Sequence, residues 1–168
     1  MSRLRRLYVS DRFFFVTCQL LRGRRLLNED DFTSLAEAIQ LTREAHGFLL
    51  TGWVFLPDHW HAVIFPRHPL TLSRVMEIIK VRSTHKTNLR RHESGQLWQG
   101  RFFDHALRTV RKYHACLDYI HFNPVKRGLV KTPEQWLWSS IHCYGGPGPV
   151  KLAIDRVRLP TDLDARPN

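Results

Sequence analysis

The sequence predicts an α+β fold, a ferredoxin-like or RRM-like antiparallel sheet with helices packed mainly on one face. Three observations predict it. The elements run strand, helix, strand, strand, helix, strand, helix; the middle two strands are joined by a short Pro57-Asp58 turn; and the helical runs carry apolar residues at three- and four-residue spacing.

The order of elements follows from local chemistry. Phe13 to Gln19 is short, aromatic and β-branched, which predicts a strand. Asn28 to Asp31 supplies capping side chains and acids for a helix start, Phe32, Leu35, Ala36 and Ile39 give the helical stripe, and His46-Gly47 stops it. Phe48 to Leu56 and His59 to Phe65 are β-rich runs on either side of Pro57-Asp58, which predicts an antiparallel hairpin. Leu72, Val75, Met76 and Ile79 open a second helix that runs to about Arg91, before Ser94-Gly95 breaks the pattern. Phe102 to Leu107 predicts a short strand, and Tyr113, Cys116, Leu117 and Ile120 a third helix. Beyond Gly145-Gly146-Pro147-Gly148-Pro149 the periodicity stops, so residues 150–168 read as a tail and residues 1–149 as one domain.

Composition narrows the class of function. The chain has 168 residues, 43% hydrophobic, with 26 Lys+Arg against 15 Asp+Glu, a net charge of +11. Such a balance attracts a polyanion, and nucleic acid is the first candidate. Residues 1–25 hold seven Arg and one Asp, and residues 80–131 hold twelve Lys/Arg and three acids, whereas residues 26–79 are net acidic. Segregation of this kind fits a basic face, the bland alternative being a solvated surface with no partner. No long helix pairs a basic face with an all-apolar one, so a membrane partner is not expected. Cys18, Cys116 and Cys143 are odd in number and far apart, and Phe13 to Leu21 is interrupted by Thr17, Cys18 and Gln19. Reduced thiols, no signal peptide and a cytoplasmic location are the expectation.

The stretch His59-Trp60-His61 breaks an otherwise apolar strand. Alternate residues share a face, so the two imidazoles point one way and Trp60 the other, and paired imidazoles suit a divalent cation. Two ligands do not make a site. If the third helix reaches Phe122, Tyr119 and Asn123 fall on one face four residues apart, with His121 turned away. Asn123 then offers an amide oxygen and Tyr119 a phenol. Pro124 disfavours the helical region for Asn123, which leaves Asn123 as the terminal residue or as the cap of a following turn.

His59-Trp60-His61 after Leu56-Pro57-Asp58, Leu97-Trp98-Gln99 with Phe103-Asp104, the run Tyr119 to Val130 (YIHFNPVKRGLV) and Trp138-Ser139-Ser140 together resemble the REP-associated tyrosine transposases, members of the single-tyrosine HUH transposases. The resemblance spans about residues 10–145 and marks residues 1–149 as one such domain with a basic N-terminal arm. It implies that His59, His61 and Asn123 bind one divalent metal ion, Mg or Mn, and that Tyr119 is the nucleophile of a single-strand DNA endonuclease and strand transferase. Asp58 departs from the pattern, standing where the family usually shows Asn.

The implied chemistry has a physical logic. A phosphodiester repels nucleophiles by its own charge, which a cation relieves. A phenol, with a pKa near ~10 in model compounds, must lose its proton, and no general base adjoins Tyr119 in sequence. Attack leaves a 5′-phosphotyrosine and a free 3′-OH. Single strands are held by cationic grooves and aromatic stacking; Arg82, Lys86, Arg90, Arg101, Arg108, Arg111 and Lys112, with Trp98, Phe102 and Phe103 interleaved, are the candidate contacts, and Arg3, Arg5 and Arg6 are candidates for tracking phosphates. The resemblance implies single-stranded DNA with a REP-like palindromic hairpin as partner, with a monomer or a homodimer as the working unit. Two other classes fit the same residues: a non-catalytic hairpin-binding protein derived from such an enzyme, with packed histidines, and a hydrolase with a water nucleophile.

Overall fold

In a computed structural model, which describes residues 10–159, four strands form one antiparallel sheet in the order β2-β3-β1-β4. The strands are β1 (Phe14–Gln19), β2 (Leu49–Leu56), β3 (His59–Phe65) and β4 (Phe103–Ala106), and the helices are α1 (Glu29–His46), α2 (Leu72–Arg91) and α3 (Val110–Lys126). The order, with β1 and β3 central, is that of a ferredoxin-like sheet, as expected. Arg3, Arg5 and Arg6 lie outside the described residues. Among those residues no helix is long and apolar enough to cross a membrane.

Pleat alternation gives the sheet two apolar faces. On one, Phe14, Val16 and Cys18 of β1 with Trp60, Ala62 and Ile64 of β3 meet Leu35 and Ile39 of α1 and Val75, Met76 and Ile79 of α2. On the other, Phe15, Val54 and Val63 meet Tyr113, Leu117 and Ile120 of α3. Two of the three helices therefore share a face, and α3 alone covers the opposite one. The aromatic layer under α1 and α2 is dense: Trp53, Phe55 and Trp60 are fully buried, each contributing about 2–3 kcal/mol of transfer free energy.

Local signals set the ends of the helices. Asn28 and Asp31 form a capping box at the start of α1, and Gly47 closes it in the left-handed region at φ 73°, where a Cβ would be strained. Helix α3 runs through Pro124 to Lys126, which corrects the expectation that Asn123 ends the helix or caps a turn. The missing N–H of Pro124 forfeits one bond, to the Ile120 carbonyl, while the Arg127 N–H still reaches the Asn123 carbonyl at 2.9 Å. Burial of Asn123 and Pro124 holds the backbone helical against the proline's local preference.

Residues 150–159 of the expected tail lie against β2. The Asp155 N–H donates to the Leu50 carbonyl at 2.7 Å, the Leu50 N–H donates to the Asp155 carboxylate at 2.9 Å, and the Trp53 indole donates to the Leu152 carbonyl at 3.0 Å. The composition signals irregularity here, and the extended chain satisfies its backbone groups on the free edge of β2.

Candidate active site

Strand β3 places His59 and His61 on the α3 face, opposite Gln19 and Thr17 of β1 and opposite Leu56 and Val54 of β2. Helix α3 can lie close over this face because Gly52 has no side chain; a Cβ there would clash with a Leu117 methyl. A register shift between Leu50 and Gly52 bulges β2 at the same point. From that seat α3 projects Tyr119 and Asn123, one turn apart, toward the imidazoles. The Tyr119 ring lies 5.4 Å from the His61 ring and 5.8 Å from Phe15, and Asn123 Nδ2 lies 3.3 Å from His61 Nε2. The four residues singled out from the sequence are thus brought together. His121 points away, with Nε2 2.9 Å from the Ser140 hydroxyl.

The imidazoles face each other tip to tip, Nε2 to Nε2 at 3.1 Å. Asp58 Oδ1 is 2.6 Å from His59 Nδ1, and an ionised carboxylate only accepts, so a ring proton sits at Nδ1; in the neutral ring Nε2 then keeps its lone pair. Thr17 Oγ1 lies 2.8 Å from His61 Nδ1, and when the hydroxyl accepts there the Nε2 of that ring carries no proton either. Burial, with the neighbouring His59 charge, pulls His61 down to about 3, so its ring is neutral. Burial also opposes ionisation of Asp58, but the hydrogen bond and charge of His59 and the charge of Arg127 outweigh it and hold the carboxyl below its ordinary value.

A separation of 3.1 Å between the two Nε2 atoms is one that a shared proton or a single cation bridges. Donors at about 2.1 Å from an octahedral ion and at right angles around it stand about 3 Å apart, so the spacing fits. Asn123 is 4% exposed and its Oδ1 is buried without a hydrogen-bond partner among the described residues. Turning the amide over exchanges its two ends and presents that oxygen at 3.3 Å from His61 Nε2. Two imidazoles and an amide oxygen make a mixed nitrogen and oxygen donor set for one divalent ion. No cluster of three His, Cys, Asp or Glu able to hold a metal occurs among the described residues, so any ion here depends on the amide.

His59, His61 and Tyr119 open into a groove of about 1090 Å³. Its floor is Thr17 and Gln19 of β1 with Phe103 and His105 of β4; one wall is Lys112, Cys116 and Tyr119 of α3; the other is the loop carrying Leu21, Arg22 and Leu26. Tyr119 is 42% exposed at the edge of this space. The other potential nucleophile in the wall, Cys116, is pushed up to about 11 by burial and stays a thiol.

Of the seven basic residues expected to contact DNA, only Lys112 lines the groove. Lys86 pairs with Glu37 at 2.8 Å, and Arg90 pairs with Asp30 and Asp31, so both fasten α2 to α1 on the opposite face of the sheet. Arg82 also belongs to α2, while Arg101, Arg108 and Arg111 are exposed outside the groove lining. Trp98 is core, its indole donating to Ser83 Oγ at 2.9 Å, whereas Phe103 is 62% exposed. Sequence reasoning did not single out Thr17, Gln19, Arg22 and Arg127. The signal for the first two is period-two alternation continuing from Phe13 and Phe15, which becomes readable once the β1–β3 register is known.

Residues 12–123 match the family model described as "Transposase IS200 like". The chain is similar to a REP-associated tyrosine transposase of Escherichia coli strain K12, 34% identical over 143 residues, which cover 84% of each protein. A Haemophilus influenzae relative described in the same terms is 27% identical over 152 residues, 84% of this chain and 86% of the relative. The solved structure of a REP-associated tyrosine transposase bound to a REP hairpin aligns with a TM-score of 0.76 at 30% identity, covering 99% of this chain and 100% of that one. With the family's matched region ending on Asn123 and the histidine pair inside it, the chain belongs to the IS200-like transposases and, among them, to the REP-associated tyrosine transposases.

Proposed function

We propose that this protein is a metal-dependent nicking and joining enzyme that cleaves single-stranded DNA near a REP-like hairpin through a phosphotyrosine at Tyr119. The observation that carries the proposal is the convergence of two imidazole Nε2 atoms, 3.1 Å apart, with the Asn123 amide and the Tyr119 ring. Hairpin binding is proposed because a relative similar over its whole length has been solved bound to a REP hairpin.

His59, His61 and Asn123 would hold one divalent ion, which supplies a Lewis acid for a non-bridging phosphate oxygen. Tyr119 attacks phosphorus with its phenolic oxygen; the bond to the 3′-oxygen breaks, giving a 5′-phosphotyrosine and a free 3′-OH. The phenolic proton leaves to the water that reaches this half-exposed side chain, and the departing 3′-oxygen takes a proton from water. A 3′-OH attacking the phosphotyrosine reverses the step and joins strands without an external energy source. Around the reaction, Lys112 and Arg22 counter phosphate charge, and Phe103 offers a face for an unpaired base.

The test is incubation of the purified protein with a labelled hairpin oligonucleotide bearing unpaired flanks, with Mn or Mg, followed by a denaturing gel. The unaltered chain should give a covalent band, and Tyr119→Phe should bind the hairpin but give none. Cleavage that survives Tyr119→Phe would establish a water nucleophile, and binding without cleavage in both forms would establish a non-catalytic hairpin-binding protein.

A further inference from the structure

The two imidazoles are steadied by different means. His61 lies mid-strand, 4% exposed, with neighbouring strands on both sides and Thr17 at its Nδ1. His59 is the first residue of β3, at the end of the Pro57-Asp58 turn, so less of the sheet fixes its ring. What holds it is the carboxylate of its own turn, Asp58 Oδ1, 2.6 Å from His59 Nδ1. A turn carboxylate has freedom of its own, and here its other oxygen, Oδ2, accepts from Arg127 Nη2. Arg127 is the C-cap of α3, the helix that carries Tyr119 and Asn123.

We propose that Asp58 is a positioning residue for a metal ligand: it fixes the tautomer and direction of His59, and Arg127 clamps Asp58, so that the seating of α3 and the aim of His59 are set together. A carboxylate accepting from Nδ1–H leaves Nε2 as the sole lone pair of the ring and raises its basicity toward a cation. The same clamp makes His59 sensitive to α3. If the helix end moves, Arg127 leaves Oδ2, Asp58 is free to turn, and the ring loses the partner that selects its tautomer. The residues that supply the nucleophile and the amide are therefore coupled to the more weakly held imidazole through one ion pair, across 69 residues of sequence.

The inference rests on the metal reading above, and its test separates the two. Mn2+ alone is titrated by calorimetry into the unaltered chain, Asp58→Ala and Asp58→Asn, each checked for an unchanged far-UV circular dichroism spectrum, and nitrogen-15 spectra of the histidine rings are recorded without metal. Outer partners of this kind typically change affinity about 10- to 100-fold, so Asp58→Ala should bind Mn2+ that much more weakly and show His59 as a mixture of tautomers. Asp58→Asn, which keeps an acceptor at Oδ1, should restore the Nδ1–H tautomer and fall between the two in affinity. Arg127→Met is judged on the ring spectrum, because removing its charge also favours a nearby cation; partial loss of the single tautomer is expected. Affinity within twofold of the unaltered chain in Asp58→Ala, with the His59 tautomer unmoved, overturns the positioning role, and an unmoved tautomer in Arg127→Met overturns the clamp. No Mn2+ uptake by the unaltered chain overturns the metal reading and this inference with it.

Discussion

Asp31 holds two guanidinium groups with one buried carboxylate, and its partners show why charge is hard to interpret residue by residue. Arg91, 1% exposed in its side chain, meets Asp31 through Nε at 3.0 Å and through Nη2, and also donates to the Arg25 and Leu26 carbonyls at 3.1 and 3.0 Å. The pair therefore fastens the loop that forms one wall of the groove. Asp31→Ala strands a buried cation, and a loss of about 3–5 kcal/mol in urea unfolding is expected. The same acid captures Arg90, and Glu37 captures Lys86, both from a helix 49 or more residues away in sequence. Nothing in a local window announces such partners, so the engagement of Lys86 and Arg90 with α1 is not visible in the sequence. Lys112 has no acidic partner among the described residues and lines the groove. Lys112→Ala should weaken hairpin binding and lower the slope of log affinity against log salt by about 1, while Lys86→Ala should leave that slope unchanged, both measured by fluorescence anisotropy across a salt series. Strand and helix periods put His59 with His61 and Tyr119 with Asn123 on shared faces, while their roles in one site were implied by the family resemblance.

Among the elements, α3 decides whether a site exists, and its closeness to β2 depends on Gly52. Gly52→Val drives two methyl groups toward Leu117 and Ile120, which are buried and have little room to yield. Overpacking of this kind costs about 1–3 kcal/mol. Chemical denaturation should show that loss, and covalent-adduct formation should fall further than stability does, because lifting α3 also withdraws Tyr119 and Asn123. Full activity in a destabilised Gly52→Val protein would show that the helix has slack to spare. The sequence revealed α3 and its apolar stripe but misplaced its end. A proline in a last turn removes a single hydrogen bond, and whether packing compensates is a tertiary matter that local preference does not report. The glycine in β2 carried no visible meaning until the helix above it was in place.

For the whole molecule, the fold was read correctly because each local preference agrees with the global arrangement: capping at Asn28, the turn at Pro57-Asp58 and the two periodicities point to the same sheet. The lie of residues 150–159 was not readable, since they are held by an open strand edge and carry no periodicity of their own. Tyr119 and His61 meet within one chain, with ring centres 5.4 Å apart. Mixing Tyr119→Phe with His61→Ala should therefore restore no covalent adduct on a denaturing gel, and a restored band would mean that two chains exchange helices.

Strand β3 serves two masters, presenting His59 and His61 on one side while Trp60, Ala62 and Ile64 fill the layer beneath α1 and α2 on the other. A one-residue slip in its pairing would send indole to the substrate and imidazole into the aromatic interior. Insertions or deletions that damage this strand should thus yield insoluble chains rather than well-folded, inert ones, and any surviving silent copy should owe its silence to point changes.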